Sequence, residues 1–155
     1  MARPANAPSL STNPMKALNL ELTLWLQTAA GFQLAVAILN LFLVRILDWK
    51  EELARLPLLI REVFRVHSWF ISLTLFIFAT MTWRFAGEIA RASDPFVRWL
   101  ATGVGIFWGT RFVLQFAYYS SSHWRGRLDR TLIHLALLLT YGGLAAVYLT
   151  AAFRV

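Results

Sequence analysis

Four unbroken apolar blocks, more than any motif, limit what this chain can become. They cover residues 22–47 (LTLWLQTAAGFQLAVAILNLFLVRIL), 64–86, 96–119 and 131–153, each 23–26 residues long. At the rise of an α-helix each reaches roughly 35 Å, enough to cross a bilayer's hydrocarbon core with some tilt. Backbone groups find no water there, so every N–H and C=O must pair within its own segment, and runs of this length become helices. The expected fold is an all-α integral membrane protein: a four-transmembrane-helix bundle with a short amphipathic interfacial helix, over about 48–62, between spans one and two. A flexible polar tail (1–17) precedes a single domain (18–155).

Composition narrows the function classes. Hydrophobic residues make up 58% of the chain and charged residues 15%, which excludes a soluble globular enzyme and a disordered chain. There is no cysteine, so disulfides, thiolate metal sites and iron–sulfur clusters are excluded. The net charge of +7 would suggest nucleic acid in a soluble protein. Here the cations fall at the ends of apolar blocks, so they read as contacts to lipid headgroups and nucleic acid is not expected. The tail, with Pro4, Pro8 and Pro14 among small polar residues, does not resemble a cleavable signal, and the first block is too long for a signal core.

Punctuation agrees with these boundaries. All five prolines lie outside the blocks. Asp94-Pro95 reads as an N-cap followed by proline at the first helical position, and Asp129 as a cap for span four. Asp48 and Glu51 have capping-box spacing and would start the interfacial helix. In that connector Trp49, Leu53, Leu56 and Ile60 recur at helical spacing against Lys50, Glu51, Glu52, Arg55 and Arg61, the pattern of a helix lying on a membrane surface. Pro57 either kinks it or starts a new helix. Trp25, Trp49, Trp69, Trp83, Trp99 and Trp124 fall near expected interfaces, and Trp108 alone lies deep.

An even number of spans puts both termini on one side, face A. The 48–63 connector and the 120–130 loop then lie on face B. Arg45, Lys50, Arg55, Arg61, Arg65, Arg125, Arg127 and Arg130 sit on face B. Arg3, Lys16, Arg84, Arg91, Arg98 and Arg154 sit on face A. The excess points to a cytoplasmic face B and non-cytoplasmic termini.

Span three holds the main anomaly. Arg111, Gln115, Tyr118 and Tyr119 are spaced i, i+4, i+7 and i+8, one polar stripe on its face B half. An arginine this deep costs at least ~2.5 kcal/mol unless paired or solvated, so it should face the bundle interior or snorkel towards face B. His67, His123 and His134 gather at the same end. His67 and His134, at similar depth on different helices, have the placement of axial ligands to a b-type haem. Tyr141 and Tyr148 share a face of span four with His134. Gln33 and Asn40 on span one can bond to neighbouring helices. His67, His123, His134, Arg111, Gln115, Tyr118, Tyr119 and Tyr141 therefore form the candidate pocket, for haem or for a quinone or lipid headgroup.

Small residues mark packing faces: Ala101, Gly105 and Gly109 on span three, Gly142, Ala146 and Thr150 on span four. They serve internal packing by default, or a homo-oligomer through the Gly105/Gly109 or Gly142/Ala146 faces. All eight acidic residues flank the spans, which disfavours proton-coupled transport. The leading expectation is a non-enzymatic subunit, scaffold or assembly component of a larger membrane complex, in contact with lipid and protein partners. An electron-transfer or ligand-binding module comes second. Third is an enzyme acting on a lipid or quinone headgroup, with Arg111, Arg125 and Arg127 gripping an anion.

Overall fold

The computed structural model describes residues 14–92, 94–117 and 128–154. It is all-helical, with no strand among the described residues: α1 Pro14–Ile46, α2 Lys50–Ala54, α3 Leu58–Arg91, α4 Pro95–Ala117 and α5 Leu128–Phe153. Three helices, α1, α3 and α5, are long and apolar enough to cross a membrane. α4 has comparable length, 23 residues, but Arg98, Arg111 and Gln115 dilute its apolarity.

The helices extend past the apolar blocks. α1 is helical from Pro14, the first described residue, so residues 14–17 of the expected tail are helical. The first thirteen residues lie outside the described residues. α3 has 34 residues and reaches about 51 Å, well beyond a ~30 Å hydrocarbon core. Its helical dihedrals are interrupted at Phe85, after which Ala86, Ile89 and Ala90 are buried.

The connector departs from expectation. Asp48 starts no helix; it ends α1. Its backbone is left-handed, φ 53°, a conformation aspartate tolerates better than most residues. The Trp49 N–H donates to the Val44 carbonyl at 3.0 Å, as in a Schellman C-cap. α2 is five residues long, its N-cap position is Trp49, and no side chain caps it. Pro57 is extended (φ −49°, ψ 142°) and opens α3, so residues 58–62 join α3 and the expected interfacial helix shrinks to α2. The reason is local: proline in a helix interior clashes with the preceding turn and lacks the N–H that would continue it.

At the next boundary the expectation holds. The Phe96 N–H donates to Asp94 Oδ1 at 2.7 Å, and Pro95 occupies the first helical position. Asp129 instead lies within the first turn of α5.

α1 packs mainly on α3, and α4 mainly on α5, giving two antiparallel pairs. The small residues of α4 make the second pair close. A Cβ added at Gly105 would stand 2.8 Å from Leu149 Cδ2, and one at Gly142 would stand 3.2 Å from Phe112. These two glycines are thus used inside the chain, while Ala146 is exposed.

The core is lopsided. Buried positions in α1 stop at Ala37, and those in α3 and α5 begin at Ser72 and Tyr141; beyond Trp108 the only one in α4 is Gln115. The two pairs therefore join in their face A half, through Leu26, Leu75, Ile89, Trp108, Leu144 and Tyr148. Each pair persists towards face B without the other covering it.

Two glycine substitutions test this packing. Gly105→Ala should destabilise the protein by about 1–3 kcal/mol, because Leu149 must shift. Gly103→Ala, with nothing within 4 Å of the new methyl group, should be neutral or stabilising by up to about 1 kcal/mol through helix propensity. Thermal unfolding in detergent separates them, and equal effects would contradict the α4–α5 contact.

Candidate functional site

Close approach of α4 and α5 aligns the polar stripe of α4 with its partner helix. The Arg111 guanidinium packs over the Tyr141 ring, 5.1 Å from its centroid, a cation–π contact strengthened by desolvation. Trp108, one turn earlier, stacks on the same ring at 5.5 Å and 23°. Phe107 meets Trp108 edge-on, and Phe78 of α3 meets Phe107 in the same way, both at 5.3 Å. An aromatic ladder thus runs from α3 through α4 to α5, with Arg111 at its far end. Arg111 is half-buried against α5.

One turn further on, Gln115 is 2% exposed, and its Nε2 lies 3.0 Å from His134 Nδ1. The ring nitrogen accepts if the amide is oriented this way. Gln115 Oε1 and Trp108 Nε1 are buried without a hydrogen-bond partner.

The other candidates are distributed unevenly. His134 is half-buried in this seam, whereas His67 is exposed on α3, on the stripe of Ile71, Thr74 and Phe78. No contact joins the two imidazoles, and no three His, Asp or Glu side chains converge among the described residues. Tyr118, Tyr119 and His123 lie outside the described residues. An open groove of about 550 Å³ lies beside Leu24, Gln27, Gly31, Phe32 and Trp83 and holds none of the candidates.

A second polar cluster was only partly foreseen. Gln33 Nε2 of α1 donates to the Tyr148 hydroxyl of α5 at 2.6 Å, and that hydroxyl also bonds Thr82 Oγ1 of α3. Both Gln33 and Tyr148 are essentially inaccessible. Asn40 of α1 donates to the Ser68 carbonyl at 2.9 Å and to Ser72 Oγ at 2.8 Å. At face A, Arg154 Nη1 donates to Asn19 Oδ1 at 2.8 Å and Arg98 Nε to the Ala152 carbonyl at 3.2 Å. The periodicity of Gln33 with Ala29 and Ala37 marked a packing face. Thr82 carried no signal, because helical threonines commonly bond back to their own helix, as Thr82 also does to Phe78.

No known protein family, curated protein or solved structure matches the chain. Functional inference therefore rests on the site itself.

The Tyr148 cluster can be tested directly. Tyr148→Phe removes two interhelical bonds and should destabilise by about 1–2 kcal/mol in detergent. Adding Gln33→Leu should recover part of that loss, since no buried amide then lacks its partner. Purely additive losses would show that the two side chains act independently.

Proposed function

We propose that the protein is a non-enzymatic subunit or scaffold of a larger membrane assembly. One observation carries the reading: among the described residues, burial towards face B ends at Ala37 in α1, Ser72 in α3 and Tyr141 in α5, with Gln115 alone beyond that level in α4. An isolated bundle normally closes its inward stripes over their whole length, because interior side chains pack to near-crystalline density. Among the described residues the inward stripes near face B lack cover, as in a subunit whose remaining surface is completed by a partner. The interior polar groups also serve to join helices: Asn40 to Ser72, Gln33 and Thr82 to Tyr148, Gln115 to His134.

Four crossings belong to this proposal. α4 accompanies α5 from the Arg98–Ala152 contact to the Gln115–His134 contact. If α5 crosses, α4 crosses beside it and turns its least apolar residues towards α5. Both termini then share face A, and the Lys/Arg excess assigns face B to the cytoplasm. The absence of cysteine makes the test clean. Single cysteines at Ser9 and Ala92 should react with an impermeant maleimide from one side of the membrane, and those at Lys50 and Ser121 from the other. Labelling of Ala92Cys and Ser121Cys from the same side would contradict the α4 crossing. The subunit reading predicts stoichiometric copurification with larger membrane proteins in mild detergent. A protein that purifies alone as a monodisperse monomer would contradict it.

One observation favours a second reading, a haem or quinone carrier. The Gln115 amide fixes the ring of His134 through Nδ1, the outer-shell arrangement that orients a ligating imidazole. On that reading the purified protein shows a Soret band that both His67→Ala and His134→Ala abolish. A colourless protein from haem-replete cells would remove haem from the account.

A further inference from the structure

The charge of Arg111 has no counterpart among the described residues. Among the described residues the one ion pair joins Arg91 to Glu88, 3.8 Å apart at the end of α3. Arg111 has only the face of Tyr141, which attracts a cation but does not neutralise it. All eight carboxylates (Glu21, Asp48, Glu51, Glu52, Glu62, Glu88, Asp94 and Asp129) lie near helix ends or in connections.

Depth decides what can supply the missing charge. Tyr141 lies near the middle of the apolar stretch Thr131–Phe153, so roughly 15 Å of hydrocarbon separates its level from either interface. The cation–π contact holds the guanidinium at that level. A lipid phosphate would have to sink through that distance. A second copy of the chain has no carboxylate at that depth. A side chain on another crossing helix needs no such displacement.

We propose that Arg111 is the docking point for an aspartate or glutamate at mid-depth on a transmembrane helix of a different polypeptide, received along the α4 side of the half-open face B region. The proposal rests on the subunit reading and gives its partner a chemistry. The guanidinium offers five N–H donors in a planar fork, a geometric match to a carboxylate. Gln115, one turn away with a buried unpartnered amide oxygen, can bond a protonated carboxyl or, with its amide turned, a carboxylate. The exposed apolar residues Phe107 and Leu114, which flank Arg111 on α4 within about 60° around the helix axis, give the incoming helix a surface to pack against.

The test uses the full chain in neutral phosphatidylcholine vesicles. The probes are fluorescent synthetic Leu/Ala transmembrane peptides with a central Asp, a central Ala, or an Asp moved two turns towards one end. Energy transfer from the labelled chain reads association. The central-Asp peptide should bind at least about tenfold more tightly than the Ala peptide, and the displaced Asp should lose most of that preference. Arg111→Met should abolish it, while Arg45→Gln, at the end of α1, should leave it intact. Equal binding of all three peptides to the unaltered chain overturns the proposal, and this comparison does not depend on how any variant folds. Retention of the preference in Arg111→Met also overturns it. So does its loss on adding phosphatidylglycerol, which would identify a lipid phosphate as the counter-charge. If the Asp preference holds but the native protein purifies alone, the subunit reading fails and the recognition chemistry stands.

Discussion

The Tyr148 hydroxyl joins the two halves of the molecule. Apolar contact alone gives little reason for one helix pair to prefer the other over lipid, because lipid tails are as apolar as leucine. The bonds from Gln33 and Thr82 to Tyr148 supply specificity, since the buried Tyr148 hydroxyl would otherwise be left without a partner in hydrocarbon. They tie α1, α3 and α5 at one point. Around that joint lie the small and well-shaped residues that permit close packing: Ala29, Ala79, Ala101, Gly105, Ala151 and Ala152.

Away from the joint the interactions are pairwise. Asn40 holds α1 to α3, and Gln115 holds α4 to α5. No described bond crosses between the pairs in the face B half. This explains why burial ends at similar levels in α1, α3 and α5. It also leaves Arg111 and the exposed His67 where the described residues pack least against one another.

Much of this was legible in the sequence, and the parts that were not have physical causes. The apolar blocks announced the long helices because backbone satisfaction in lipid leaves few alternatives. Asp94-Pro95 announced the start of α4 because capping is local chemistry. Asp48 misled because the same residue type caps an N-terminus or adopts the left-handed turn that ends a helix; only the preceding helix decides which. The helical residues 14–17 were missed because a helix can continue past hydrocarbon into water, where hydropathy no longer reports it. The shared stripe of Arg111 and Gln115 was readable from spacing, whereas their packing on Tyr141 and His134 depends on how closely α4 approaches α5. His67 and His134 shared a level in the sequence, but shared level does not bring two helices together.

The central claim is that the helix pairs are joined near face A and independent near face B. Distance distributions from paired spin labels test it most directly, and the cysteine-free chain restricts labels to chosen sites. Labels at the exposed positions Leu20 and Trp99 report the joined end, and labels at Phe42 and Phe116 report the other. The account predicts a narrow distribution for the first pair and a broad one for the second. Equally narrow distributions at both ends would contradict it.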